Sequence, residues 1–310
     1  MEKNNEEKVL KVRSARSCIA AGYRLFTGQF RLIFRNVWIV ALVFALISGI
    51  VTSMQVGEYP RLLLGVLSGN IMASELFNTS LAFFIGQLLF LVVTVMLAAA
   101  GYSLLSHHRA TGALPAAAKW YSFPHGALLR TVLAAVVLLV IDILASVVIV
   151  AIGYGASMVL SKWMSLALTV LVALVIVAFL VPMAHPLIKY VTTNERESVL
   201  TLLTKEYGTA LRQWGFAFVV LLVTILVTWL AILLTTLPAV VLTVANMQSA
   251  LGTLQGDPTG MPHYMGWLKT VVFVISGFIQ AFVMLSALFP VYFMSLSIDA
   301  RKIEKEKMKV

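Results

Sequence analysis

Apolar residues along this chain gather into unbroken runs, separated by segments where Lys, Arg and turn-forming residues concentrate. Helical or strand periodicity is absent within the runs, because nearly every position is apolar. Each run is about twenty residues long, the length a helix needs to cross about 30 Å of hydrocarbon at 1.5 Å per residue. The first, Val37 to Met54, reads VWIVALVFALISGIVTSM, and the second, Ser80 to Leu105, holds no charged residue. Thr131 to Gly155 is interrupted only by Asp142, and Trp163 to Ile188 carries Pro182 and Pro186 near its end. Gly215 to Leu237 and Leu268 to Ser297 complete a set of six predicted transmembrane helices.

Composition agrees with that pattern. Of 310 residues 60% are hydrophobic and 12% charged, with a mean hydropathy of +0.95. Soluble domains average about 45–50% apolar and about 25% charged residues, so a water-soluble globular fold is excluded. The expected class is an all-α integral membrane protein. Its expected layout is a charged N-terminus over 1–14, one six-helix domain over 15–298 and a charged tail over 299–310. The lone cysteine, Cys18, excludes an intrachain disulfide and a cysteine-based metal centre. The first apolar run lies too far from the terminus for a secretory signal, so no cleavage is expected.

The formal charge of +10 adds an orientation. Twenty of the 23 Lys and Arg residues fall in the N-terminal arm, the second and fourth connections and the tail. The opposite connections hold only Arg61, Lys162 and Lys269. Positive charge is retained on the cytoplasmic side, so six spans with both termini cytoplasmic, in an inner membrane, match the split. An odd number of spans does not. The basic excess points to anionic lipid as partner rather than nucleic acid.

Three junctions invite comparison. Ala15 to Arg35 places Ile19, Tyr23, Phe26, Phe30, Ile33 and Phe34 among Arg16, Arg24, Arg31 and Arg35, the make-up of an amphipathic helix lying among headgroups. LIFRNVW at Leu32 to Trp38, ALLRTVL at Ala127 to Leu133 and TALRQWG at Thr209 to Gly215 each set an arginine, Arg35, Arg130 or Arg212, at the start of a span. There its stem can stay in the apolar boundary while the guanidinium reaches phosphate. The preceding segments, Lys119 to Leu129 and Ser198 to Leu211, are also of mixed polarity. The predicted unit is interfacial helix, span out, loop and span back, used three times. In this layout, and in GYRLFTGQFRLIFRNVWIV at Gly22 to Val40, the chain resembles the bacterial family that includes the membrane domain of glycerophosphoryl diester phosphodiesterases and its six-span relatives. These 310 residues contain no soluble phosphodiesterase domain, so the resemblance implies a fold class and no catalytic residue.

Candidate chemistry is sparse. Asp142 lies about 16 Å into its span by helix rise, near the midplane, where a carboxylate costs a few kcal/mol unless protonated or paired. It is either a proton or cation site or a hydrogen-bonded clamp between helices. Gln280 at similar depth in the last span is the first-choice partner, with Thr224 and Thr228 on one face of the fifth and Ser146 one turn away. Gln87 is expected to bond another helix. His185, between Pro182 and Pro186, reads as an interfacial histidine satisfied locally, the prolines freeing carbonyls nearby. Adjacent His107 and His108 diverge too far for a two-ligand metal site. Ala41, Ala45, Gly49 and Ser53, spaced by four, give a helix face that another helix can approach closely, and Gly277 and Ala281 form a shorter version. Outside the bilayer, a short surface helix is expected around Ile71 to Phe77 and a turn-rich loop over Asn246 to Gly266, with Gly256, Asp257, Pro258, Gly260 and Pro262. No His-Glu-x-x-His, phosphate-cradling glycine loop or Gly-x-Ser-x-Gly occurs, so no catalytic residue, metal site or cofactor is expected.

Three functional classes follow in order: a non-enzymatic membrane module that organises anionic lipid or supports a membrane-protein partner or a second copy; a small transporter with a midplane site at Asp142; an intramembrane enzyme, for which nucleophile and base are lacking.

Overall fold

The computed structural model describes residues 10–68, 73–116, 125–193, 197–254, 262 and 264–308. Among them there is no strand, and nine α-helices follow in order: α1 Ala15–Gly28, α2 Phe30–Ser68, α3 Ala73–Thr111, α4 His125–Val159, α5 Lys162–Leu180, α6 Ala184–Thr192, α7 Val199–Leu211, α8 Trp214–Leu254 and α9 Tyr264–Lys307. Six apolar stretches are long enough to cross a bilayer. The chain is a multi-pass, all-α membrane protein.

The helices outrun the apolar runs that define them. At 39 residues, α2 and α3 each extend about 58 Å, well beyond the hydrocarbon layer. Hydrophobicity marks where a helix sits in lipid, whereas its end waits for a residue that breaks the backbone pattern. Gly112, at φ 79°, does so after α3. Pro238 does not, and α8 continues through it to Leu254 rather than stopping at Leu237. The expected interfacial helix over 15–35 also divides, because Gln29 leaves helical geometry and Phe30 to Arg35 become the first turns of α2. Of the predicted outer surface helix, Ile71 and Met72 lie outside the described residues and Ala73 to Phe77 open α3. Gly256, Asp257, Pro258 and Gly260 of the turn-rich loop, and most of Lys119 to Leu129, lie outside the described residues.

The predicted repeat is reproduced unevenly. Both α1 and α7 begin at a serine, Ser14 and Ser198, whose hydroxyl accepts from the amide of Ser17 and of Thr201. Both end in a short break before a spanning helix. The three arginines are not equivalent, however. Arg35 and Arg130 sit in the second turn of α2 and α4, and Arg212 lies in the break before α8.

Two compact units divide the residues. One comprises Phe34–Ala98 and Leu226–Leu285. Within it Ala41, Ala45, Gly49 and Ser53 are all buried. A Cβ on Gly49 would stand 2.7 Å from the Val274 backbone, and Ser53 bonds Thr270 at 2.8 Å. One turn along, Gly277 lies over Ala45 and Ser48, so the small-residue stripes of α2 and α9 face each other. Stacking of Phe34 on Phe282, with centroids 5.4 Å apart, extends the contact. On another side of α2, Gln87 donates to Gln55 at 3.4 Å.

The other unit comprises Met1–Ile33, Ala99–Ile225 and Ser286–Val310. Its apolar core joins Leu187, Tyr190 and Val191 of α6 to Val199, Leu202 and Leu203 of α7 and Ala134 of α4. Helix α1 lies on the end of α9 through Cys18, Gly22 and Phe26, one turn apart. The Cys18 thiol faces the Phe293 carbonyl, Gly22 touches the Pro290 backbone and Phe26 meets Phe289 edge-on. The hairpin of α4 and α5 closes on Gly153 against Thr169. Val136, Leu139, Ile143, Val147, Val150, Leu171 and Leu174 are exposed along that hairpin, a surface that lipid covers and water would not tolerate.

Between α5 and α6 the chain bends through a 3₁₀ turn at Val181–Met183. Pro182 brings no amide hydrogen to the Ala178 carbonyl, which lies one helical turn before it. The indole of Trp214 donates to that carbonyl at 2.8 Å, and the Tyr207 hydroxyl donates to the neighbouring Phe179 carbonyl at 2.9 Å. Side chains of the next two helices thus close the gap.

Candidate functional site

Polar groups of the second unit converge where α3, α6, α7 and α9 end or begin. Arg109 comes from the last turn of α3, His185 and Lys189 stand one turn apart on α6, Glu206 is on α7, and Asp299 and Lys302 are on α9. Asp299 lies one turn beyond Ser295, so both face the same way. Helical spacing therefore aims these groups at one point.

Asp299 Oδ2 receives Arg109 Nη2 at 3.0 Å, and the same guanidinium donates to Thr192 Oγ1 at 3.4 Å. Lys189 Nζ bridges the two acids, 2.9 Å from Glu206 Oε1 and 3.2 Å from Asp299 Oδ1. Lys302 Nζ reaches Glu206 Oε1 and Oε2 at 3.0 and 3.2 Å. His185 is wholly buried. Its Nδ1 meets Ser295 Oγ at 3.0 Å, while Nε2 points between the acids, 3.6 Å from Asp299 Oδ1 and 3.9 Å from Glu206 Oε2. Nε2 has no hydrogen-bond partner among the described residues, and Asp299 Oδ1 has only its ion pair with Lys189. Alongside, His108 Nδ1 bonds the Tyr292 hydroxyl at 3.0 Å.

The electrostatics follow from that crowding. His185, then Lys189 and Lys302, hold the Glu206 carboxyl far below the usual carboxylate range, against the desolvation that burial imposes. Besides the imidazole the cluster holds three cations and two anions. Removing one partner of such a buried pair strands the other, at about 3–5 kcal/mol. Chemically the arrangement can hold a cation or tie four helices together. It presents no activated nucleophile.

Sequence reasoning singled out only His185 here, and expected it to use carbonyls freed by the prolines. Trp214 takes the carbonyl that Pro182 frees and Tyr207 the neighbouring one, and His185 turns instead to Ser295 and the acids. No metal site was expected from the sequence; single nitrogen and oxygen atoms of His185, Glu206 and Asp299 lie within 4.8 Å of one another. In the sequence Arg109, Lys189 and Lys302 are merely positive charge flanking spans. The available signal was spacing: His185 with Lys189, and Ser295 with Asp299, each four apart in otherwise apolar helix ends.

None of the residues expected to carry midplane chemistry belongs to this cluster. Asp142 is exposed on α4, and among the described residues nothing bonds it, Ser146 included. Thr224 is buried and donates to the Val220 carbonyl of its own helix. Thr228 and Gln280 are half-buried, and they belong to the unit that does not contain Asp142. Of the interfacial arginines, Arg16, Arg24, Arg31, Arg35 and Arg212 are exposed. Arg130 is half-buried and donates to the Thr193 carbonyl, a protein contact where a lipid contact was expected.

A basic groove lies along the same unit. Arg212, Gln213, Gly215, Phe216, Arg301, Glu304, Lys305 and Met308 line an open depression of about 490 Å³. Arg301 stacks on Phe216 at 4.1 Å and donates to Gln213 Oε1 and the Arg13 carbonyl. Arg212 and Lys305 remain exposed. No protein-family model, curated protein or solved structure matches this chain.

Proposed function

We propose that this multi-pass protein is a non-enzymatic module of the inner membrane, with both termini cytoplasmic, that binds anionic phospholipid headgroups. The observation that carries the reading is the open groove of Arg212, Arg301 and Lys305 beside Phe216 and Met308. Cations next to apolar surface match a phosphate headgroup with its upper acyl carbons. Helix α1 supports it: Cys18, Gly22 and Phe26 are spent on α9, which leaves Arg16 and Arg24 outward at the same end of the chain's fold as Arg13 and Arg301. Each basic residue near an anionic surface contributes about 1 kcal/mol. The resemblance in layout to the phosphodiesterase membrane domains is consistent with a lipid-facing role.

Retention of lipid through purification tests this. Native mass spectrometry of protein extracted from mixed vesicles should show phosphatidylglycerol retained several-fold over phosphatidylcholine. An Arg212→Gln, Lys305→Gln variant should lose most of that preference, since both side chains are exposed and the fold does not need them. Equal retention of the two lipids by the native protein refutes the reading.

A further inference from the structure

We propose that His185 Nε2, Glu206 Oε2 and Asp299 Oδ1 form a binding site for one divalent first-row transition-metal ion, with the Lys189 ammonium standing in the ion's place when it is absent. This goes beyond lipid binding and rests on different residues.

Two observations carry it. First, three donor atoms from three separate helices lie within 4.8 Å of one another, with Nε2 3.6 Å from one carboxylate oxygen and 3.9 Å from the other. Those separations are too long for hydrogen bonds. Donors sharing an ion at about 2.1 Å sit about 3.0–3.4 Å apart, so the two nitrogen–oxygen separations need to close by about 0.2–0.9 Å, and the two carboxylate oxygens, within 4.8 Å of each other, draw together around the ion. Second, Nε2 belongs to a side chain with no exposure, is aimed into that space, and has no partner among the described residues. A buried ring nitrogen left unsatisfied costs about 1–3 kcal/mol, which an ion would remove.

The surroundings are those of a ligand set. Ser295 Oγ holds Nδ1 and so fixes the ring's direction. Arg109 occupies Asp299 Oδ2, leaving Oδ1 toward the histidine. Lys189 binds Glu206 Oε1, and Lys302 spans both oxygens of Glu206. Lys189 is the competitor: its ammonium sits 3.2 Å from Asp299 Oδ1, neutralising the charge that a dication would neutralise. An entering ion displaces it from Asp299, while Glu206 Oε1 can keep it. One imidazole with two carboxylates and no thiolate suits Zn²⁺, Mn²⁺, Fe²⁺ or Co²⁺ in preference to Ca²⁺, which takes six to eight oxygens.

The test uses full-length protein in detergent, stripped with chelator and titrated with Co²⁺ and, separately, Ca²⁺. Expected is one Co²⁺ per chain with a visible d–d absorption band, and no saturable Ca²⁺ binding. Ser295→Ala should weaken Co²⁺ about 10–100-fold, the usual cost of losing an outer partner. His185→Gln should abolish the band. Lys189→Met should tighten binding at least several-fold, an effect that a merely structural ion network does not produce. No Co²⁺ bound by either the native protein or a folded Lys189→Met variant overturns the proposal. So does an unchanged band in His185→Gln, or equal Ca²⁺ binding. Should His185→Gln fail to fold, the native titration together with Ser295→Ala and Lys189→Met decides.

Discussion

Gly22 is the position where one added carbon tells most. A Cβ there would stand 2.4 Å from Pro290 N and 2.6 Å from Pro290 Cα, both backbone atoms that cannot rotate aside. Ordinary carbon contacts lie at about 3.5–4.0 Å, so α1 must withdraw from α9 by about 1 Å. Overpacking of this kind costs about 1–3 kcal/mol. Alanine also gains about 0.5–1 kcal/mol over glycine inside a helix. Gly208, inside α7 with nothing within 4 Å of its Cβ position, supplies the control for that gain. The propensity contribution cancels between Gly22→Ala and Gly208→Ala, so the first should be less stable than the second by about 1–3 kcal/mol, the clash alone. Detergent-solubilised protein titrated with dodecyl sulfate and followed by far-ultraviolet circular dichroism gives both midpoints. Cys18, one turn from Gly22 and fully buried, reports on α1 directly: Gly22→Leu should open it to maleimide while the spanning helices persist. Equal stability of the two alanine variants, with Cys18 still protected in Gly22→Leu, would refute the close crossing of α1 and α9.

In the native protein Cys18 should resist alkylation from pH 7 to 9. Burial raises its thiol above the ordinary value, opposed in part by Arg13, the Ser297 bond and Arg301, so the reactive thiolate forms only at higher pH than for an exposed cysteine. Labelling at the rate of free cysteine at pH 8 contradicts this. Asp299→Asn should destabilise by about 3–5 kcal/mol, as Arg109 and Lys189 lose their buried counter-charge, and a paired Arg109→Met, Asp299→Leu variant should recover part of it. Additive losses in the cycle of Arg109→Met, Asp299→Leu and the paired variant would mean the two do not interact. Asp142→Leu should leave folded yield unchanged or higher, because an exposed midplane carboxylate without a partner costs about 2.5–3.5 kcal/mol to insert. A collapse in yield would show that another chain or another state supplies its partner.

What the sequence disclosed and what it concealed divide by distance along the chain. The stripe of Ala41, Ala45, Gly49 and Ser53 is visible because four-residue spacing is a property of one helix, and small side chains on one face have one main use. The ionic cluster is invisible for the converse reason. Arg109 and Asp299 are 190 residues apart, Arg109 and Thr192 83 apart, and each sits where a charged residue flanking a span is expected anyway. Asp142 misled in the other direction: depth can be counted from helix rise, but which way a carboxylate points cannot. Helix ends were missed where lipid hydrophobicity stops before the backbone does, as in α8 beyond Pro238.

The bend between α5 and α6 constrains how the protein is made. The Phe179 and Ala178 carbonyls at the bend accept from residues 207 and 214, which leave the ribosome after the bend itself. The fourth crossing therefore cannot reach its final shape as an autonomous segment when the translocon releases it. Until the following helices emerge, those carbonyls lack the donors that the folded protein gives them. Biogenesis of this hairpin is thus coupled to downstream synthesis, and a nascent chain truncated before Tyr207 should expose its fourth crossing to quality-control proteases.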